Sequence, residues 1–176
     1  MPYLTWQVDA FAGWAPDMFQ QYGEYRQQLL DRSPDLRVKF SGSVWSAATF
    51  NFGPRTETLP HLDSKNLACG WCAITALGDY DPDKGGHLIL WDLGLVIRFP
   101  PGSTILIPSS LLYHSNTSIQ DGETRCSFTQ YTAGALFRWV DQGFRVQGKV
   151  AEVCRIGPKI FSKLSTLLPH INEVLI

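Results

Sequence analysis

The sequence predicts a mainly β domain, a sandwich or small barrel, with helices at both ends. Three observations carry this. Short apolar runs follow one another from Val44 to Tyr131, bounded by Gly, Pro, Asp or Asn clusters. No helix-length periodic segment interrupts them, which argues against βαβ units. At 176 residues and 44% hydrophobic composition, the chain can bury one real core.

The elements follow in order. Met18, Phe19, Tyr22, Tyr25, Leu29 and Leu30 recur at a 3.6-residue period, so 15–32 reads as a helix stopped by Ser33-Pro34-Asp35. Val44–Phe52 is strand-like and ends at Gly53-Pro54. Gly70–Leu77 is the next strand. The turn-rich segment Tyr80–Gly86 then reads as a hairpin into His87–Asp92. Leu95–Phe99, a Pro100-Pro101-Gly102 turn, Ser103–Pro108, Leu111–His114 and Thr124–Tyr131 complete the β region. Gly148–Cys154 and Pro158–Leu168 read as helices, with Pro158 suited to a first turn. The expected organisation is one domain over 1–176: a helical region 1–43, a β core 44–134 and a helical flank 138–176.

Composition excludes several classes. Charged residues are sparse and aromatics abundant, so global disorder is not expected. No run approaches the ~20 apolar residues of a membrane span, and the start MPYLTWQVDAF has no signal-peptide pattern. An intracellular protein without a membrane partner is the expectation, with a monomer as its oligomeric state. Net charge is −1, so the molecule as a whole does not attract nucleic acid. The distribution is uneven. Six basic residues (Arg138, Arg145, Lys149, Arg155, Lys159, Lys163) face only Asp141 and Glu152, a phosphate-facing surface or a solvated helical face. Cys69 and Cys72 have CxxC spacing, but no second pair completes a zinc cage, so buried free thiols are expected.

The chemistry is concentrated in His61-Leu62-Asp63, His114 and Arg125. Alternation along a strand would turn His61 and Asp63 to one side. With His114 they make the two-imidazole, one-carboxylate set that suits non-haem Fe(II) and leaves about three coordination positions open. Those positions would take two oxygens of 2-oxoglutarate and O2. Arg125 presents a flat, permanently charged fork for the far carboxylate, and Ser127 faces the same side. The same alternation puts Thr129 and Tyr131 on that face, which suggests a lined pocket.

Four segments carry a family resemblance: NFGPRTETLPHLDSKN (51–66), GDYDPDKGGHLILWDL (78–93), FPPGSTILIPSSLLYHSN (99–116) and RCSFTQYTAGALFRWVDQGFR (125–145). Together they resemble the TET/J-binding-protein family of Fe(II)/2-oxoglutarate dioxygenases, especially its fungal, transposon-associated branch. The resemblance implies a double-stranded β-helix (a jelly-roll, cupin-like core). It implies oxidation of a methyl group on a DNA base, typically 5-methylcytosine to 5-hydroxymethylcytosine and further oxidised forms, and so a nuclear site of action. By position, His61, Asp63 and His114 match the iron ligands and Arg125 with Ser127 the 2-oxoglutarate site. Asn51 resembles an Asn that helps bind 2-oxoglutarate in AlkB-like relatives. Tyr131 falls where these enzymes place a pocket aromatic, and Asn66 resembles a polar position of the active-site loop.

The chain departs from the pattern at Ala133, where well-known relatives carry a base-contacting His. N6-methyladenine therefore stays open beside 5-methylcytosine. Two further readings also stand: the same iron chemistry on a protein side chain or small molecule, and a transposon-derived DNA-binding module with an idle pocket.

Overall fold

The computed structural model describes residues 2–38 and 40–145. Helices α1 (Pro2–Trp14) and α2 (Pro16–Arg32) come first. Seven strands follow: β1 (Ala47–Asn51), β2 (Cys72–Asp79), β3 (Leu88–Leu90), β4 (Leu95–Ile97), β5 (Thr104–Ile107), β6 (His114–Asn116) and β7 (Thr124–Tyr131). Helix α3 (Gly134–Asp141) follows β7 directly. No helix among the described residues is long and apolar enough to cross a membrane. The proposed helices over 148–154 and 158–168, with Lys149, Arg155, Lys159 and Lys163, lie outside the described residues.

The strands form two antiparallel sheets, ordered β1-β7-β2-β5 and β4-β3-β6. The chain winds between them. It leaves β2 for β3 and β4 in the smaller sheet, returns at β5, crosses again at β6 and returns at β7. This is the path of a double-stranded β-helix, the fold class the sequence resemblance implies.

This winding corrects the hairpin expected at Tyr80–Gly86, because β2 and β3 belong to different sheets and do not pair. The two glycines there serve close approach. A Cβ on Gly85 would stand 2.4 Å from the Ser118 carbonyl oxygen, and one on Gly86 (φ +70°) 2.5 Å from the Tyr80 ring. A second correction concerns Leu111–His114. The N–H groups of Leu111 and Leu112 both turn back onto the Pro108 carbonyl, so the strand begins only at His114.

Two cores flank the larger sheet. One fills the space between the sheets, with Cys72, Ala76, Leu88, Leu90, Phe99 and Ile107. The other packs the helices on its outer face, with Phe11, Met18, Tyr22, Trp45, Ala73 and Phe137. Within the helical region expected over 1–43, periodicity does not delimit α1 as a separate helix, because its pattern is mixed: Trp6 and Trp14 are exposed, while Gln7 is fully buried beside Phe11. Gln7 satisfies its burial by donating to Thr75 Oγ1 at 2.7 Å, which locks α1 to β2.

The cysteine spacing is not an internal pair. Cys72 is a free, buried thiol whose pKa is pushed up to about 12 by burial. Cys69 is disulfide-bonded, which corrects the expectation of two free thiols. Cys69 lies in a turn closed by the Gly70 N–H on the Leu67 carbonyl, while Cys72 opens strand β2, so the two residues take separate paths.

Candidate active site

His61 and His114 meet as an isolated antiparallel bridge. The His61 N–H donates to the His114 carbonyl at 3.1 Å, and the His114 N–H to the His61 carbonyl at 3.0 Å. Their rings stand 4.3 Å apart, centroid to centroid. Each ring is then fixed by the carbonyl two residues earlier. His61 Nδ1 lies 2.8 Å from the Leu59 oxygen, and His114 Nδ1 lies 2.8 Å from the Leu112 oxygen. A carbonyl only accepts, so Nδ1 carries the proton in both rings and Nε2 keeps its lone pair free.

Asp63 is brought in differently from the strand alternation the sequence suggested. Its N–H donates to the Ser109 carbonyl at 3.0 Å, and the chain then turns, with the Asn66 N–H on the Asp63 carbonyl at 2.8 Å. Bridge and turn together, rather than one regular strand, point the HxD pair the same way. Asn66 Nδ2 donates to Asp63 Oδ2 at 3.3 Å, while Asp63 Oδ1 stands 3.8 Å from His61 Nε2. Donor atoms of His61, Asp63 and His114 all lie within 4.8 Å of one another. On an ion with bonds of about 2.1 Å, neighbouring ligands stand about 3 Å apart, so a small side-chain adjustment closes the set.

Burial lowers the pKa of His114, aided by the neighbouring His61 and opposed by the Leu112 hydrogen bond and by Asp63. His114 is only 4% exposed. It is therefore neutral, the form that binds a metal, near pH 7.

A cavity of about 460 Å³ opens beside these three side chains. Thr49 and Asn51 of β1, Ile74 of β2 and Ser127, Thr129 and Tyr131 of β7 form one wall. The register that sets Asn51 opposite Ser127 lets Asn51 Nδ2 donate to Ser127 Oγ at 2.9 Å. Tyr131 shares a 3.3 Å hydroxyl contact with Thr49. Asn66 also lines the cavity, but both of its amide protons are engaged, on Asp63 and on Ser109 Oγ at 3.1 Å.

Arg125 lies two residues before Ser127 on the same face of β7 and is 3% exposed. Its Nη1 donates to the Thr56 carbonyl at 3.0 Å, and the Tyr80 hydroxyl, which donates to the Phe99 carbonyl, is close enough to favour its charged form. Its Nε is buried with no acceptor, and no carboxylate among the described residues pairs with it. Burial lowers its pKa from the usual value, with Tyr80 opposing. A guanidinium stays charged in any case, so this is a buried cation without a counter-ion among the described residues.

Sequence reasoning missed Tyr80, Ser109 and Lys65. Ser109 supplies both the carbonyl that fixes Asp63 and the hydroxyl that engages Asn66, and it carries no recognisable spacing. Tyr80 sits inside a turn signal, and its role depends on the approach that Gly86 permits. Lys65 lines the cavity mouth, and its proximity to the HxD pair was the one available signal.

No protein-family model matches this chain, and no curated protein matches it in sequence. Among solved structures it is similar to NgTET1 in complex with 5mC DNA, at 15% identity and a TM-score of 0.47, over 88% of this chain and 62% of that one. It is also similar to the viral collagen prolyl hydroxylase vCPH from Paramecium Bursaria Chlorella virus-1 in its 2OG complex. That likeness has 14% identity and a TM-score of 0.36, over 62% of this chain and 69% of that one. The chain thus spans less than two thirds of the length of the NgTET1 structure.

Proposed function

We propose that this chain is an Fe(II)- and 2-oxoglutarate-dependent dioxygenase that oxidises a methylated base of DNA, with 5-methylcytosine as the leading substrate. One observation carries the reaction class. Three convergent metal donors border a cavity whose β7 wall continues into a buried guanidinium that has no counter-ion among the described residues. Two imidazoles and one carboxylate suit non-haem iron. An unpaired buried charge calls for an anion. A dicarboxylate that chelates metal at one end and meets Arg125 at the other answers both demands.

Bound there, Fe(II) with 2-oxoglutarate and O2 would supply the oxidation, inserting one oxygen atom into a C–H bond while 2-oxoglutarate becomes succinate and CO2. His61, Asp63 and His114 would hold the metal on one side and leave the other for the co-substrate. The Leu59 and Leu112 carbonyls keep both imidazoles in the ligating tautomer. Arg125, Ser127 and Asn51 would receive the far carboxylate through charge-assisted hydrogen bonds.

The four segments similar to TET/J-binding proteins support the methylated base as substrate. A base inside a duplex cannot reach the cavity, so the nucleotide would flip out. Tyr131 would wall the base pocket. With both amide protons of Asn66 engaged, its Oδ1 is what remains for a substrate. An acceptor there suits an exocyclic amino group, which 5-methylcytosine and N6-methyladenine both carry. A nuclear site of action would follow from this substrate.

The test is incubation with Fe(II), 2-oxoglutarate and duplexes carrying either base, with products read by mass spectrometry. The expected result is an oxidised base, hydroxymethylated first, with one succinate released per oxidation step. Succinate released only with peptides would move the same chemistry to a protein substrate.

A further inference from the structure

Among the residues lining the cavity, Lys65 is the single Lys or Arg. It is exposed at the mouth beside Leu62 and forms no ion pair with the described residues. Its main chain is pinned. The Lys65 carbonyl accepts the Gly134 N–H at 2.9 Å, and Asn66 bridges to Ala133. Lys65 therefore cannot drift from Asp63, two residues earlier.

Charge balance indicates what this lysine is for. In a loaded site, a divalent metal, Asp63, Arg125 and a doubly charged co-substrate cancel one another. Lys65 is left as the uncompensated charge at the entrance. We infer that Lys65 is a substrate-binding residue that takes an anionic group of the substrate at the rim of the cavity. On the methylated-DNA reading, on which this inference rests, that group is the phosphate flanking the flipped nucleotide. The base enters the cavity while its phosphates stay at the rim, where Lys65 stands.

The experiment uses fluorescence anisotropy of the full chain with a duplex carrying one central 5-methylcytosine. A second set of duplexes replaces each flanking phosphate in turn with a neutral methylphosphonate. Lys65→Met, which keeps the apolar stem, should weaken binding about fivefold, the upper end for one exposed ion pair. It should also reduce the log–log salt slope by about 1. One flanking methylphosphonate should cause the same loss in the natural chain and no further loss in Lys65→Met, and Lys65→Arg should restore affinity. Losses that multiply, or a Lys65→Met chain that binds like the natural one, would overturn the assignment. A natural chain that oxidises the duplex while Lys65→Met keeps full affinity defeats only the lysine inference. A natural chain that neither binds nor oxidises it defeats the DNA reading itself.

Discussion

Asn66 Nδ2 lies 3.3 Å from Asp63 Oδ2, on the opposite carboxylate oxygen from the one nearest His61. The contact leaves Asp63 one oxygen for a metal. Asn66→Ala should lower metal affinity by about 10–100-fold, the usual effect of losing a group that orients a ligand. Titration with Co(II), followed by its visible spectrum, reads both affinity and geometry. An unaltered spectrum and affinity would remove Asn66 from the positioning of Asp63.

His61→Ala and Asp63→Ala should each abolish turnover and bound iron, measured as succinate release and metal content. Full activity in the double variant would sink the enzyme reading.

Arg125 offers a test that needs no turnover. In the natural chain, 2-oxoglutarate at about 100 times its Kd should stabilise the metal-loaded protein by about 2.7 kcal/mol. Arg125→Met should erase that shift. Arg125→Lys should not restore it in full, because an ammonium lacks the planar fork. A full shift in Arg125→Met would place the co-substrate carboxylate elsewhere.

The lowered pKa of His114 sets a pH dependence for the metal-free protein. Its folded-state pKa lies below the unfolded value of about 6.5, so the unfolded chain takes up the proton first as pH falls. The stability contribution is present above about pH 6.5 and is lost as pH falls through the folded pKa. Denaturant unfolding at about pH 7.5 and about pH 5.5, about 1 unit to either side, should show this loss, and His114→Asn should shrink it. An equal loss in that variant would assign the effect to other groups.

Gly86→Ala should destabilise the fold by about 1–3 kcal/mol, because the new Cβ meets the Tyr80 ring at a positive φ. Since Tyr80 supports the Arg125 guanidinium, the KM for 2-oxoglutarate should rise with it. Thermal unfolding and a KM measurement check the two parts separately.

Strand β7 was legible to the residue because its two faces differ in kind. Ser127, Thr129 and Tyr131 line the cavity, with Arg125 buried on the same face, while Phe128 and Gln130 are buried on the other. Few strands state both of their environments so clearly. The crossover at Tyr80–Gly86 was not legible, because a turn between apolar runs has the same composition whether the second run joins the same sheet or the opposite one. The convergence of His61, Asp63 and His114 could be read by residue type and order, but its geometry came from a bridge and a turn that leave no periodic trace. Lys65 was hidden for a simpler reason: an exposed lysine on a loop resembles any other until a cavity is placed beside it.

The paired hydrogen bonds between His61 and His114 join segments far apart in the chain through main-chain atoms alone. These main-chain bonds bring the two imidazoles together without calling on any side-chain ligation. Demetallation should leave that arrangement standing, so iron stripped by a chelator can be restored, or replaced by another divalent ion, without refolding. The protein can then be stored and handled as a stable apo form and charged at the moment of use.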